Sequence, residues 1–264
     1  MQRKLGQQTG VSTTLSGIDV ALVNFVARNR RLPCPADGAL PSTAALAGVE
    51  TATCGPLPNQ TSGVIPWVTL GISESEATDP WNGRITYRVD PALTDSVTRL
   101  MNMTDCDGAG TAATVGNACR TPTTAACAPG GAGCTSLNNF LSGKGLAVQD
   151  GGVVPVYLNN PAAVPGTGAA YVIISHGPTG GGAFNKSGNY QPGPQIPNPL
   201  PPPLSLVAGT NEIPNLNNQA LTGASIFMDA QQNSSLTPAH FDDYLSHPTI
   251  TSVLTRASLQ ARSH

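Results

Sequence analysis

One amphipathic helix that ends abruptly at a proline-rich corner constrains this chain more than any other feature. Between Leu15 and Val26 the apolar residues recur every three or four positions, which is the spacing of a single helix face. The members of this face are Leu15, Ile18, Ala21, Leu22, Phe25 and Val26. Arginines crowd the end of the segment, where cations complement the negative pole of a helix, and Pro33 and Pro35 prevent its continuation. The sequence therefore predicts an N-terminal helix within residues 1–31 that buries one stripe.

The rest of the chain is poor in charge and rich in turn-forming residues. Charged residues make up 11% of the 264 residues, against roughly a quarter in ordinary globular proteins, and there are 29 glycines and 24 prolines. This composition is typical of secreted or surface-assembled proteins. Only 13 residues are basic and the net charge is −2, so there is no signal for nucleic-acid binding. The length can bury one core, and we expect a single domain over residues 1–264.

Six cysteines occur without any C-x-x-C spacing, which argues against a cysteine-based zinc site or a thioredoxin-like site. An even number in a loop-rich chain of low charge favours disulfides and an oxidising compartment. Pairing of sequence neighbours predicts three bridges, with free buried thiols as the alternative for some of the six. The bridges are Cys34–Cys54, Cys106–Cys119 and Cys127–Cys134.

The start of the chain carries no export signal, although disulfides require export. No run of about 18 or more apolar residues occurs, and no apolar region follows Met1–Gly6 as it does in a signal peptide. The chain as given is therefore not expected to span a membrane. The simplest resolution is that a targeting segment preceded residue 1.

The first predicted strand follows a turn. Asp79-Pro-Trp-Asn-Gly83 contains the Asn-Gly pair that tight hairpins prefer. Arg84–Val89 then alternates polar and apolar residues, which predicts a half-buried strand with Ile85, Tyr87 and Val89 facing inward.

Further elements follow from shorter patterns. Pro66 limits the apolar segment 63–71 to an edge strand or an extended stretch. Short helices are predicted at 91–103 and after Pro248, the latter with one apolar face. The remaining strands are predicted at 153–158, 169–175 and 224–228, with the very hydrophobic 169–175 in a central position.

Two long segments hold too few large apolar residues to build a core. Residues 104–135 contain four of the cysteines among small residues, and we interpret them as a Cys-rich insertion held by two bridges. Residues 178–216 form a Gly/Pro-rich excursion that includes the polyproline-like stretch 191–203.

The order of these landmarks resembles bacterial prepilin-type proteins, the minor pilins of type IV pili and the pseudopilins of type II secretion. The helix enters Arg31-Leu-Pro-Cys-Pro-Ala-Asp37, and Asp79-Pro-Trp-Asn-Gly-Arg84 precedes a tyrosine-containing strand. Other landmarks in matching order are Gly63-Val-Ile-Pro-Trp67, Val172-Ile-Ile-Ser-His-Gly177, Asn211-Glu212 and Phe241-Asp-Asp243.

The resemblance implies an α+β, pilin-like fold, in which a long N-terminal helix packs on an antiparallel β-sheet with disulfide-stapled and Pro/Gly-rich loops outside. It also implies an apolar half-helix before residue 1 that anchors the subunit in the inner membrane. The implied partners are other pilin or pseudopilin subunits and the inner-membrane assembly machinery. The implied location is a cell-surface filament or the periplasm.

Two groups of residues invite a chemical interpretation. Ser175 and His176 are neighbours on a strand and point to opposite faces, so they cannot form a nucleophile–base pair, and we expect His176 to bond a loop carbonyl. Adjacent Asp242 and Asp243 could supply two oxygen ligands to calcium, and the sequence suggests no other cofactor. Alternatively one caps a turn while the other is solvated or pairs with Arg84 or Arg88.

The sequence thus favours a non-enzymatic filament subunit, a minor pilin or pseudopilin. Its assembly helix face is the stripe Leu15, Ile18, Leu22, Phe25 and Val26 packed on its own sheet, with the opposite face turned to neighbouring subunits. A recognition module, such as a tip adhesin or uptake subunit that binds a ligand through the insertions 104–135 and 178–216, is the alternative.

Overall fold

A computed structural model describes residues 2–52, 54, 63–94, 101, 140–152, 154–191, 211–216, 225–235 and 239–259. Its helices are α1 (Gln2–Asn29), α2 (Trp67–Leu70) and α3 (Ile250–Arg256), with 3₁₀ turns at Pro91–Leu93 and Ile213–Asn215. The strands are β1 (Ala36–Asp37), β2 (Gly63–Val64), β3 (Thr86–Val89), β4 (Ala147–Gln149), β5 (Tyr157–Asn159), β6 (Tyr171–Ser175), β7 (Ile226–Met228) and β8 (Tyr244–Ser246).

The strands form two sheets. The larger one is antiparallel throughout in the order β1-β2-β3-β6-β8, and Tyr87 of β3 lies opposite Ile173 of β6. The smaller sheet has the order β5-β4-β7 and pairs β4 with β7 in parallel. The fold is therefore α+β with an N-terminal helix and antiparallel pairing, as expected, while the second, mixed sheet had no signal in the sequence.

The apolar stripe of α1 lies in the core. All five residues of the predicted helix face are buried, together with Val11 and Val23. They belong to one cluster with side chains of the large sheet, among them Ile85 and Ile173. Helix α1 is longer than the stripe itself, because residues before Leu15 continue it to Gln2.

A polar contact fixes the orientation of α1 on the sheet. Asp19 projects from the helix, accepts a hydrogen bond from the Tyr171 hydroxyl of β6, and forms an ion pair with Arg256 of α3. Burial, followed by the neighbouring Asp19 charge, raises the pKa of Tyr171 well above its ordinary value, so the hydroxyl remains a donor. Asp19 therefore joins the helix to both the sheet and the C-terminal helix.

The corner after α1 is held covalently and by charge. Cys34 and Cys54 form a disulfide with Cα atoms 5.4 Å apart, which confirms the first of the three predicted bridges. Arg31 donates two hydrogen bonds of 2.8 Å to Glu50, whose carboxylate also accepts from the Cys34 amide. Burial acts to raise the pKa of Glu50, but these hydrogen bonds outweigh it and hold that pKa below its usual range.

Helix α1 also meets the length and composition required to cross a membrane. Within Gly6–Asn29, an 18-residue window has a mean hydropathy of 1.4, and 39% of that window is buried inside the protein. That the chain as given does not span a membrane stays a prediction. A core helix of a water-soluble protein meets the same criteria, and one face of α1 is buried in this way.

The strand predicted to be half-buried is buried on both faces. Every residue of β3 is buried, including Arg88 on its polar face. Arg84, which precedes the strand, is buried as well. Arg84 pairs with Glu74 at 2.8 Å and donates to the carbonyl of Leu40, so a charged side chain occupies an interior position because its donors are satisfied. Burial lowers the pKa of Arg88 to about 9.

Other boundaries differ from the predictions for local reasons. The segment 63–71 holds β2 and then the short helix α2, which ends at Gly71 in the left-handed region (φ 74°). Of the predicted strand at 153–158, only residues 157 and 158 lie in β5, where they are exposed, and β7 is followed by a further strand, β8. Within 91–103, residues 91–94 and 101 are described, and Pro91–Leu93 form a 3₁₀ turn. The helix after Pro248 is confirmed as α3, capped by the Thr249 side chain.

Candidate functional site

Ser175, the last residue of β6, and His176, which follows it, form hydrogen bonds with different partners. Ser175 donates a 2.8 Å hydrogen bond to Asp79, whereas His176 bonds Thr86 through Nε2 at 2.8 Å and Asp243 through Nδ1 at 3.1 Å. The serine and histidine are thus directed apart, as the strand geometry requires. The expected loop carbonyl is not the partner of His176. A side-chain carboxylate and a hydroxyl take that place, because the chain brings Asp243 against the end of β6.

Asp243 is the centre of a buried polar network. Its carboxylate accepts from the His176 ring and from the Asn215 amide at 2.9 Å. Asn215 in turn exchanges two hydrogen bonds with the backbone of Met228 in β7. The network therefore links the 211–216 loop, the small sheet and the large sheet, and it leaves no donor of Asn215 without an acceptor.

A second cluster lies beside this network and consists of Glu212, His240 and Asp242. These residues are 2%, 3% and 6% exposed, and one potential ligand atom from each lies within 4.8 Å of the others. His240 Nε2 is 3.6 Å from Glu212 Oε1 and 3.8 Å from Asp242 Oδ1. We call these three residues the EHD cluster.

Local structure explains how Asp242 reaches the cluster. Gly177, which follows β6, has φ 58°, and a Cβ atom there would lie 2.2 Å from the Asp242 carbonyl oxygen. Only glycine permits so close an approach of the two backbones. The Asp242 carboxylate then accepts from the amide and the hydroxyl of Thr179, at 2.9 and 3.0 Å.

The electrostatics of the cluster are dominated by buried negative charge. Burial, followed by the charge of Asp243, and further by Asp242, raises the pKa of Glu212 to about 8. Glu212 Oε1 nevertheless accepts a 2.9 Å hydrogen bond from the Asp242 amide. Without a cation in the cluster, Glu212 therefore retains a proton near neutral pH.

The structure separates the two adjacent aspartates that were predicted to bind calcium. Asp242 belongs to the EHD cluster, whereas the Asp243 carboxylate is engaged by His176 and Asn215. Neither is solvated, since both are buried. Pairing with Arg84 or Arg88 was the alternative, but Arg84 pairs with Glu74 and Arg88 donates to the carbonyl of Leu216. Calcium binding itself stays a prediction.

The remaining predicted site residues fall into two groups. The five residues of the assembly helix face are buried against the domain's own core, and the Cys34–Cys54 bridge closes the corner after α1. The other four cysteines, Cys106, Cys119, Cys127 and Cys134, and the insertion 104–135 lie outside the described residues. Of the excursion 178–216, residues 178–191 and 211–216 are described.

Sequence reasoning missed Glu212 and His240 as site residues. A local signal existed for one of them, because His240 and Asp242 are two positions apart and an extended segment presents such residues on the same face. No local signal joins Glu212 to them across almost thirty intervening residues. Asn211-Glu212 was noted only as a landmark of the resemblance.

A cleft of about 500 Å³ opens between α1 and β8. Its helix side is lined by Val11, Leu15 and Asp19, and its other side by residues 229–232 and 243–246. Asp243 is one of these lining residues, so the cleft reaches the buried polar network.

Comparison with known proteins gives no relative for this chain. No protein-family model matches it, no curated protein matches it, and no solved structure matches it.

One prediction concerns Asp79, which organises the turn before β3. Its carboxylate accepts from the amides of Trp81 and Gly83 and from Ser175, yet burial raises its pKa above the ordinary value. The stabilising contribution of such a group is complete below its unfolded-state pKa and is lost as the pH rises through its folded-state pKa. In Asp79→Asn the side-chain oxygen can still accept from the Trp81 and Gly83 amides, while its NH2 group can donate to Ser175 Oγ. We expect the stability of this variant relative to wild type to increase over this pH range. Each pKa unit corresponds to about 1.4 kcal/mol.

Asp150→Asn is the control of opposite sign. Asp150 is exposed, and hydrogen bonds from the amides of Val156 and Gly152 lower its pKa. Its contribution is present above the unfolded-state pKa and is lost on acidification, so this variant should lose stability relative to wild type as the pH rises. Urea unfolding between pH 3 and 7 measures both. Parallel pH profiles for the two variants would contradict the assignment of Asp79.

Proposed function

We propose that the chain is a non-enzymatic structural subunit, a minor pilin or pseudopilin, of a type IV pilus or type II secretion-like filament. The observation that supports this most is the asymmetry of α1. One face of this 28-residue helix is buried on an antiparallel sheet, while its exposed positions from 6 to 27 carry no charged residue. These exposed positions are Gly6, Gln8, Thr9, Ser12, Thr13, Ser16, Gly17, Val20, Asn24 and Ala27.

An uncharged outer face distinguishes α1 from an ordinary surface helix. The side of a helix that faces water normally carries charged and polar residues. Here Val20 is 52% exposed near the middle of a face of small and neutral residues. Small residues allow two helices to approach closely, which suits lateral packing of α1 against helices of neighbouring subunits.

The proposal extends to partners and location. The subunit assembles with other pilin or pseudopilin subunits, delivered by inner-membrane assembly machinery, in the periplasm or in a cell-surface filament. An apolar extension at the N-terminal end of α1 holds it in the inner membrane before assembly. The Cys34–Cys54 bridge supports an oxidising location, because such bonds persist outside the cytoplasm.

A photo-cross-linking experiment tests this proposal. In the test variant, benzoylphenylalanine replaces Val20 on the outer face of α1. In the matched control it replaces Val154, a valine outside α1 that is 81% exposed. In cells that make the protein, we expect irradiation to give adducts with a filament subunit from position 20 and not from position 154. Folded protein with no subunit adduct at position 20 would contradict the proposal.

The alternative, a surface-exposed recognition module, has one observation in its favour. Edge strand β5 and its flanks expose several large apolar side chains, and apolar patches of this kind mark interaction surfaces. They are Val154, Val156, Tyr157, Leu158 and Val164. An adduct at position 154 with a molecule that is not a filament subunit would favour recognition.

A further inference from the structure

We propose that the EHD cluster, Glu212, His240 and Asp242, binds a divalent cation of the zinc class. The ion ties the 211–216 loop to the segment that leads into β8. This inference does not depend on the filament proposal, since it concerns the interior of the domain.

The first support is the state of the His240 ring. Nδ1 lies 3.2 Å from the carbonyl oxygen of Ser235, which can only accept, so Nδ1 carries a proton. In the neutral ring Nε2 then presents a lone pair. This nitrogen is buried and has no hydrogen-bond partner among the described residues, although it points towards two carboxylates. A histidine that ligates a metal has this arrangement, in which the second nitrogen donates to a carbonyl.

The second support is the way the carboxylates are held. Thr179 donates to both oxygens of Asp242, which fixes the plane of this carboxylate. Glu212 Oε1 is positioned by the hydrogen bond that it accepts from the Asp242 amide. In metal sites, hydrogen-bond partners of this kind orient the side chains that bind the ion.

The distances suit a small cation. Ligands about 2.0–2.2 Å from zinc in tetrahedral geometry lie about 3.3–3.6 Å from one another. His240 Nε2 is 3.6 and 3.8 Å from the two carboxylate oxygens, so it lies at or within a few tenths of an ångström of this spacing from each of them. The three potential ligand atoms all lie within 4.8 Å of one another. Glu212 releases its proton when the ion binds, and the ion then neutralises the charge of both carboxylates.

The chemistry of the ligands selects the class of ion. Calcium takes six to eight oxygen ligands, whereas one imidazole nitrogen with two carboxylates is a donor set used for zinc. Asp243, the other residue predicted to bind calcium, is engaged by His176 and Asn215 and is not one of the three. We therefore expect zinc to bind and calcium not to compete with it.

Zinc titration of the full chain tests the proposal. The protein is treated with EDTA, dialysed, and titrated with Zn²⁺ in the presence of a chromophoric chelator, with and without millimolar Ca²⁺. We expect one high-affinity equivalent in wild type. In His240→Gln we expect affinity about 100-fold lower or worse, since loss of outer-shell partners alone costs about 10–100-fold.

His247→Gln is the matched control. His247 also lies beside a carboxylate, and it does not belong to the polar network around Asp243. Its Nε2 is 3.1 Å from Asp229, but both of its ring nitrogens have hydrogen-bond partners. We expect this variant to bind zinc as wild type does. Loss of binding in His247→Gln with retention in His240→Gln would overturn the proposal, and so would a wild-type protein that binds no stoichiometric zinc.

A measurement on wild type keeps the test valid if His240→Gln fails to fold. The side-chain nitrogen resonances of ¹⁵N-labelled protein report which imidazole is ligated. We expect the Nε2 signal of His240 to shift on addition of one equivalent of Zn²⁺, and the His176 signals to keep their hydrogen-bonded positions. Zinc binding without a change at His240 would refute the assignment.

Discussion

Leu22→Ala is expected to lower the free energy of unfolding by about 2–5 kcal/mol. Leu22 is fully buried on the face of α1 that packs against the large sheet. Removing its side-chain carbons loses their transfer free energy and leaves a cavity that a close-packed core closes only in part. Equilibrium unfolding in urea, followed by circular dichroism, measures the change.

Val20→Ala provides the comparison on the same helix. Val20 lies two positions away and is 52% exposed, so its truncation should change stability by no more than about 0.5 kcal/mol. A similar loss in both variants would mean that α1 does not rest on the sheet through the predicted stripe. In that case the filament proposal would lose its structural basis, because it requires one inner and one outer face.

The second large effect is expected from the covalent corner. Cys34→Ser/Cys54→Ser should lower the free energy of unfolding by about 3 kcal/mol, since the bridge closes a loop with a sequence separation of 20 and restricts the unfolded chain. The bidentate contact between Arg31 and Glu50 spans the same loop and remains in the variant. The corner should therefore keep its native conformation while losing stability.

Reductant added to wild type extends this experiment to the other cysteines. If Cys106–Cys119 and Cys127–Cys134 are bridged as predicted, reduction should cost more than the double serine substitution does. Thiol titration of the denatured, unreduced chain should then detect no free thiol. Equal stability of the double variant and the oxidised wild type would show that the corner is held by non-covalent contacts alone.

The candidate site shows where sequence reasoning stops. That Ser175 and His176 point apart follows from the two-residue repeat of a strand, and the structure agrees. Their actual partners, Asp79 and Asp243, lie about a hundred and about seventy residues away and could not be inferred from spacing. The same holds for Glu212, because the contact of Asp242 with both Gly177 and Glu212 joins three segments that are distant in the sequence.

Local patterns in the sequence were sufficient for the amphipathic stripe of α1, its arrest before Pro33, the Cys34–Cys54 bridge and the helix after Pro248. Each depends on residues near one another in the chain, where helix period, proline geometry and loop closure act directly. Tertiary structure alone decided that Arg84 and Arg88 are interior, that β4 and β7 pair in a second sheet, and that the EHD cluster exists. These features arise from contacts between distant segments, and burial energies set by those contacts override the local polar and apolar pattern.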